Sequence, residues 1–86
     1  MKIEKKCWTE FFEKVLSGEK NFEVRLADFE CRAGDVLVLR EWDPKTREYT
    51  GRQIEKTVGF VLKTKDLSFW SKEEVDKYGY MVMGLK

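Results

Sequence analysis

Five apolar residues near the start of the chain recur at helical spacing, and this stripe limits what the chain can fold into. They fall at positions i, i+3, i+4, i+7 and i+8, and they are Trp8, Phe11, Phe12, Val15 and Leu16. Such spacing places all five side chains on one face of a helix. Thr9 can cap the start of that helix, and Gly18 can adopt the left-handed conformation that commonly ends one. We therefore predict one main helix over residues 9–17.

Most of the remaining chain has the patterns of short strands. Apolar residues alternate with polar ones from Phe22 to Leu26, which predicts a half-buried strand. The run Val36 to Leu39 is continuously apolar, which is typical of a strand covered on both faces. Residues 43–51 are polar and predict a hairpin tip. A return strand over 53–64, bent at Gly59, is then expected.

The ends of the chain add smaller elements. Residues before the helix can form an edge strand near Ile3, and Ser71 can cap one or two helical turns. Tyr78 to Leu85 has the composition of a closing strand. A chain of 86 residues has room for one domain, which we assign to residues 1–86. The predicted fold class is mostly β (α+β), a small curled sheet or barrel with one main helix and a short second one.

Composition excludes several classes of function. The chain has 17 basic and 16 acidic residues, so any polyanion must be bound by a local patch rather than by a general field. It has no histidine and only two cysteines, Cys7 and Cys31, which predicts no metal, no cofactor and two separate thiols. No segment has the apolar length needed to cross a membrane, and the N-terminus lacks the apolar run of a signal peptide, so we expect a cytoplasmic location. We also expect a monomer. Abundant Lys and Glu, with Asn21 and Gln53 the sole side-chain amides, give a thermophile-like composition.

Two motifs carry a resemblance to a known family. Gly18 to Arg25 fits the pattern G-x-K-x-x-E-x-R, and Gly34 to Glu41 fits G-D-x-L-x-L-x-E. Both are similar to ASCH domains of the PUA-like superfamily, as are Tyr49 to Arg52 and the final segment 79–84, which resemble small prokaryotic and phage members. The resemblance implies a PUA-like β-barrel with a cleft between barrel and helix, lined by the signature residues, and a link to RNA.

One bacterial branch of that family hydrolyses N4-acetylcytidine with a Lys, a Thr and a Glu. Lys20 matches the lysine of that branch, but Glu23 stands where its threonine nucleophile would be. A hydrolase acting on a modified nucleobase is therefore the alternative function. In it, Glu23 or Glu41 would be the general base and Lys20 would stabilise the oxyanion.

The residues of the first motif also suggest a binding site on physical grounds. On an extended strand Glu23 and Arg25 project to one face, and the helix end brings Lys20 close to them. Lys and Arg contact phosphate, while a carboxylate accepts hydrogen bonds from a base. The competing interpretation is a solvated strand face whose ion pairs contribute about 0 to 1 kcal/mol each.

We extend the candidate site to further charged and aromatic residues. Arg40 and Glu41 are expected to form a second charged pair, and Lys45, Arg47 and Arg52 a basic cluster at the hairpin tip. Four aromatic residues can stack on bases or pack in the core, and these are Trp42, Trp70, Tyr78 and Tyr80. We expect an RNA- or nucleotide-binding module without catalysis, and the third alternative is a protein-interaction adaptor that uses exposed aromatics.

Overall fold

The computed structural model describes residues 1–79, which form a small α+β structure. The elements in chain order are β1 Lys2–Trp8, α1 Thr9–Leu16, β2 Val36–Asp43, β3 Glu48–Thr57, a 3₁₀ turn Thr64–Asp66 and α2 Lys72–Tyr78. Strand β1 leads directly into helix α1, and a long segment without regular structure then leads to the hairpin of β2 and β3. The 3₁₀ turn and helix α2 follow.

The three strands form one mixed sheet in the order β1-β2-β3. Strand β1 runs parallel to β2, with Lys2 opposite Val36 and Trp8 opposite Trp42. Strand β3 runs antiparallel to β2. The edge strand expected near Ile3 is thus confirmed as β1. Within the described residues the sheet is open, with β1 and β3 at its edges, and these three strands do not close into the expected barrel.

The core lies between α1 and one face of the sheet, which we call the inner face. Phe12 and Val15 of α1 are buried against Cys7, Leu37 and Leu39. Full burial of such side chains stabilises a fold by about 1.5–3 kcal/mol each. The main helix is confirmed, but the face that it buries is narrower than the predicted stripe. A helix of eight residues covers little of the sheet, so Phe11 and Leu16 remain about half exposed. Trp8, also assigned to the stripe, ends β1 rather than lying in the helix and is about half exposed as well.

The strand predicted over residues 22–26 is absent, because residues 17–35 contain neither helix nor strand. The alternating apolar side chains have no buried face to occupy, and Val24 and Leu26 are largely exposed. The segment instead lies beside the free edge of β1. There the Arg25 Nη2 atom donates a hydrogen bond of 2.6 Å to the Lys6 carbonyl oxygen.

Strand β3 is displaced toward the N-terminus from its predicted position. It begins at Glu48 rather than 53 and ends at Thr57, before Gly59. The hairpin tip is thereby reduced to residues 44–47. An edge strand exposed on most of its length needs no apolar alternation, so hydropathy did not reveal its start. Phe60 and Leu62, which suggested a continuing strand, are mostly exposed.

One predicted helix N-cap is confirmed and the other is wrong. Ser71 caps α2 as predicted, because Glu74 N donates to Ser71 Oγ while Ser71 N donates to Glu74 Oε1, each at 3.1 Å. Thr9 is instead the first residue of α1, and the N-cap position belongs to Trp8, the last residue of β1. Tyr78 ends α2 rather than opening a strand. Gly79 is the C-cap of α2, and the rest of the predicted closing strand, with Tyr80, lies outside the described residues.

Three further properties bear on the function class. In the described part of the chain, no helix has the length and apolar character that crossing a membrane requires. Residues 1–79 also hold no group of three or more His, Cys, Asp or Glu side chains placed to bind a metal ion. Cys7 is buried and Cys31 half-buried, and both are free thiols, in agreement with the prediction of two separate thiols.

Candidate functional site

A cleft of about 820 Å³ lies where the end of β1, helix α1 and the segment after the helix meet. Clefts that hold small ligands commonly have volumes of about 300–1,000 Å³. The three signature side chains Lys20, Glu23 and Arg25 line one wall. The remaining lining residues are Lys6, Cys7, Trp8, Phe11, Lys14, Glu19, Phe22 and Val24.

Glu23 holds the two signature cations together. Lys20 Nζ lies 2.5 Å from Glu23 Oε1, and Arg25 Nε lies 2.6 Å from Glu23 Oε2. The side chain of Lys20 is 15% exposed and that of Glu23 is 20% exposed. A solvated strand face would leave such groups largely exposed, so the signature forms a partly enclosed charged group, which we call the triad.

The end of α1 creates the bend that assembles the triad. Gly18 has a φ of 82°, a conformation that glycine adopts without steric cost and that was expected at this position. The Lys20 amide then donates to the Lys14 carbonyl at 3.0 Å, which turns the chain back against the helix. Lys20 Nζ also donates to the Phe22 carbonyl at 2.8 Å. The triad therefore depends on a helix-terminal turn rather than on the predicted strand.

The charges in the cleft are only partly compensated. Four cationic and two anionic side chains line it. Glu23 is shared by Lys20 and Arg25, and Glu19 lies 3.1 Å from Lys14 Nζ. Lys6 has no carboxylate partner among the ion pairs of the described residues. The cleft thus keeps an excess of positive charge, although the whole chain is nearly neutral.

Aromatic side chains form much of the remaining wall. Trp8, Phe11 and Phe22 are 49%, 47% and 37% exposed. The sequence had assigned Trp8 and Phe11 to the core stripe, and it did not single out Phe22 for the site. Their position at the junction between β1, α1 and the signature motif was the available signal. An exposed ring beside cations offers a stacking surface for a base.

Cys7 is a buried lining residue of the cleft. Burial raises the pKa of the Cys7 thiol, and the nearby carboxylate of Glu23 raises it further. The cations Lys20 and Arg25 lower that pKa by smaller amounts, so the net shift is upward. A thiol with a raised pKa stays protonated at neutral pH and is a poor nucleophile.

A second charged cluster surrounds Glu41, which is 1% exposed. Arg52 Nε donates to Glu41 Oε1 at 2.7 Å and Nη2 donates to Oε2 at 2.8 Å. Thr50 Oγ1 donates to Oε1 at 2.5 Å. Arg52 also pairs with Glu13 of α1. This cluster joins helix and sheet, which is a structural role.

An irregularity in the strand pairing produces the second cluster. Arg40 pairs with Gln53 and Trp42 with Tyr49, so that Glu41 alone lies opposite residues 50–52. The additional residues bulge at Gly51, whose φ is 93°. Thr50 and Arg52 flank this glycine, and both of their side chains reach the one buried carboxylate.

The surroundings of Glu41 make it a weak base. Its pKa is lowered to about 2, chiefly by the hydrogen bonds from Arg52 and then by that from Thr50, although burial acts in the opposite direction. The same contacts raise the pKa of Arg52. Thr9 has the smallest of these effects on the pKa of Glu41. Its buried hydroxyl makes no regular hydrogen bond among the described residues. Glu41 does not line the cleft, so the geometry gives no support to its role as general base.

The other predicted site residues lie in separate places. Arg40 and Glu41, predicted as a second charged pair of the site, project to opposite faces of the sheet, because successive strand residues alternate. Arg40 lies over the ring of Tyr49, with its Cζ atom 4.2 Å from the ring centroid. Lys45 and Arg47 are exposed at the hairpin tip, whereas Arg52 is ion-paired in the second cluster. Only the triad is brought together in the cleft.

Comparisons with known proteins identify relatives of the chain. A family model described as a domain of unknown function, DUF3850, matches residues 3–85. An uncharacterized 12.9 kDa protein in the GpA 3' region of Escherichia phage P2 is 36% identical over 72 residues. That match covers 84% of this chain and 62% of the phage protein. No solved structure gives a significant match.

Proposed function

We propose, for a chain that belongs to the family of unknown function DUF3850, that the cleft binds RNA or a nucleotide without catalysing a reaction. The observation that carries this proposal is the triad itself. Glu23 holds Lys20 and Arg25 at 2.5 and 2.6 Å in the wall of a cleft of nucleotide size. The ligand would need anionic groups for the cations and hydrogen-bond donors for the carboxylate. Nucleotides carry both.

The charge arrangement favours a ligand whose phosphate and base are both recognised by side chains of the cleft. Glu23 orients the two cations and still has lone pairs that can accept from the amino or imino group of a base. Lys6 offers an uncompensated amine for a phosphate. Trp8, Phe11 and Phe22 supply rings on which a base can stack, an interaction worth about 1–3 kcal/mol per base.

Kinship with ASCH domains is part of the proposal. Its support is that Lys20, Glu23 and Arg25 line a cleft beside the first helix, where the resemblance places the signature. The PUA-like barrel belongs to the same proposal, because the resemblance that carries the signature also implies that fold. Cytoplasmic location and a monomeric state complete the proposed picture.

Binding is preferred to hydrolysis because both carboxylates of the cleft are ion-paired, Glu23 with Lys20 and Arg25 and Glu19 with Lys14. The Cys7 thiol is buried and its pKa is raised. A general base must be able to accept a proton from water within hydrogen-bond reach of the substrate.

The test is a titration with uridine monophosphate, cytidine monophosphate and short RNAs, followed by amide chemical shifts. We expect shifts in residues 6–8 and 19–25, and loss of binding in Lys20→Gln and Arg25→Gln. Lys72→Gln is the matched control, because Lys72 is also in an ion pair but lies on α2. Shifts confined to residues far from the triad, or equal affinity in all three variants, would refute the proposal.

A further inference from the structure

The sheet face opposite α1, which we call the outer face, has an aromatic and cationic patch at one end. Strand alternation puts five side chains there, one or two from each strand. We call this set the outer patch, and it consists of Lys6 and Trp8 of β1, Arg40 and Trp42 of β2, and Tyr49 of β3. Trp8 and Tyr49 are 49% and 45% exposed.

Cations and rings are interleaved in the outer patch. Lys6 Nζ lies 4.2 Å from the centroid of the Trp42 ring and 5.9 Å from that of Tyr49. Arg40 Cζ lies 4.2 Å from the Tyr49 centroid, and the centroids of Trp8 and Trp42 are 6.1 Å apart. Each ring therefore has a positive charge or a second ring beside it.

The two cations of the outer patch are not ion-paired, unlike the cations of the triad and of the second cluster, within the described residues. Lys20, Arg25 and Arg52 are each ion-paired with a carboxylate. Among the ion pairs within residues 1–79, none includes Lys6 or Arg40. Their charges are therefore available to phosphate groups, whose neutralisation supplies much of the affinity for nucleic acid.

The outer patch is continuous with the cleft. Lys6 and Trp8 belong to the outer patch and also line the cleft, because they lie on the edge strand between the two surfaces. Neighbouring strands are about 4.8 Å apart, so the patch extends roughly 10 Å from β1 across β2 to β3. A ligand longer than one nucleotide can pass over this edge.

We propose that the outer patch binds single-stranded RNA that continues from the cleft across the sheet. The inference rests on the proposed function of the cleft and extends it from a nucleotide to a strand. Interleaved rings and uncompensated cations suit a strand whose bases are unpaired and can stack while the phosphates contact Lys6 and Arg40. A duplex keeps its bases stacked on one another and cannot use the rings.

The experiment compares a single-stranded oligouridylate of about 12 nucleotides, a length within the site sizes of single-strand binders, with uridine monophosphate. Two variants change the outer patch, Tyr49→Leu and Arg40→Gln, and two change the cleft, Lys20→Gln and Arg25→Gln. Lys2→Gln is the control, because Lys2 lies on the outer face but is paired with Glu55. Circular dichroism confirms folding, and Arg40→Gln preserves the test if Tyr49→Leu does not fold.

We expect Tyr49→Leu to weaken oligouridylate binding about tenfold or more and to leave uridine monophosphate binding unchanged. Arg40→Gln should reduce the salt dependence of oligouridylate binding by about one counterion between roughly 50 and 200 mM salt. Unchanged oligouridylate binding in both patch variants, with both ligands weakened in the cleft variants, overturns this inference and leaves the proposed function intact.

Other outcomes separate the two proposals further. Oligouridylate binding that needs Tyr49 and Arg40 but not Lys20 or Arg25 supports the outer patch and overturns the proposed role of the cleft. Equal affinity for a duplex of the same length overturns the single-strand assignment. Equal or tighter binding of oligodeoxyuridylate of the same length overturns the assignment to RNA, since the 2′-hydroxyl then makes no favourable contribution.

Discussion

Arg52 grips both oxygens of the buried Glu41 across the bulge in β3, with Nε–Oε1 at 2.7 Å and Nη2–Oε2 at 2.8 Å. The same guanidinium pairs with Glu13 on α1, so one side chain connects the helix to both β2 and β3. Such a bidentate contact fixes the relative orientation of the two side chains and is stronger than a hydrogen bond between neutral groups. The second cluster is therefore a structural support for the face on which α1 lies, and it can be tested apart from the cleft.

Glu41→Gln should destabilise the fold. The amide presents donor hydrogens to a guanidinium that also has only donors, so at least one of the two contacts is lost. Hydrogen bonds to charged groups contribute about 1.5–3 kcal/mol, and we expect the free energy of unfolding to fall by about 2 kcal/mol. Urea denaturation measures this change. Glu30→Gln, at an exposed position, is the control and should leave the midpoint almost unchanged.

The pH dependence of stability should also report on Glu41. Its pKa is about 2 in the folded state against an ordinary value of 4.5. A depressed folded-state pKa stabilises the fold fully above the unfolded-state value, and this contribution is lost as the pH falls. The stability difference between wild type and Glu41→Gln should be largest above about pH 5 and shrink toward about pH 2. A difference independent of pH would show that the Glu41 charge does not stabilise the fold.

Gly51→Ala should destabilise the bulge. Gly51 has a φ of 93°, and an added Cβ would meet no atom within 4 Å, so the cost comes from the backbone alone. Left-handed conformations cost other residues roughly 1–2 kcal/mol. Gly59→Ala is the matched control, because that site has equal space and no such φ. The melting temperature should fall for Gly51→Ala, and equal melting temperatures for both variants would contradict this account.

The elements that the sequence predicted well are those set by local chemistry. The α1 periodicity, Gly18 and the Ser71 cap each depend on residues that lie close together in the sequence, and each is found. The prediction of a strand over 22–26 was wrong, because alternation indicates a strand only where a sheet offers a partner strand and a buried face. The start of β3 was missed for the opposite reason, since an exposed edge strand needs no apolar pattern.

The candidate site was predicted in part. Lys20, Glu23 and Arg25 lie within one short motif, so a single turn could bring them together whatever the secondary structure. Arg40 and Glu41 are adjacent in sequence, yet the alternation of β2 separates them. The link from Glu41 to Arg52 depends on a bulge, which changes the register and is not visible in hydropathy.

Glu23→Gln should alter how the cleft responds to salt. Because Glu23 partly neutralises both Lys20 and Arg25, removing its charge leaves two uncompensated cations. The binding of a short RNA should then depend more steeply on salt concentration, by about one counterion. Fluorescence anisotropy at several salt concentrations measures the slope. Glu30→Gln makes the same charge change away from the triad, and an equal slope in both variants would mean that only net charge matters.

The two thiols should differ in reactivity while the protein is folded. Cys7 is 4% exposed and its pKa is raised by burial, whereas Cys31 is half-buried in the segment without regular structure. Only the thiolate reacts with iodoacetamide, and Cys7 must first become accessible through local opening. At about pH 8 we expect Cys7 to be alkylated at least about tenfold more slowly than Cys31, as followed by mass spectrometry.

In denaturant the two alkylation rates should converge, and in Cys31→Ser the folded protein should show only the slow phase. Rapid alkylation of Cys7 in that folded variant would mean that the cleft exposes Cys7 to solvent, contrary to the packing of Cys7 against α1 described above.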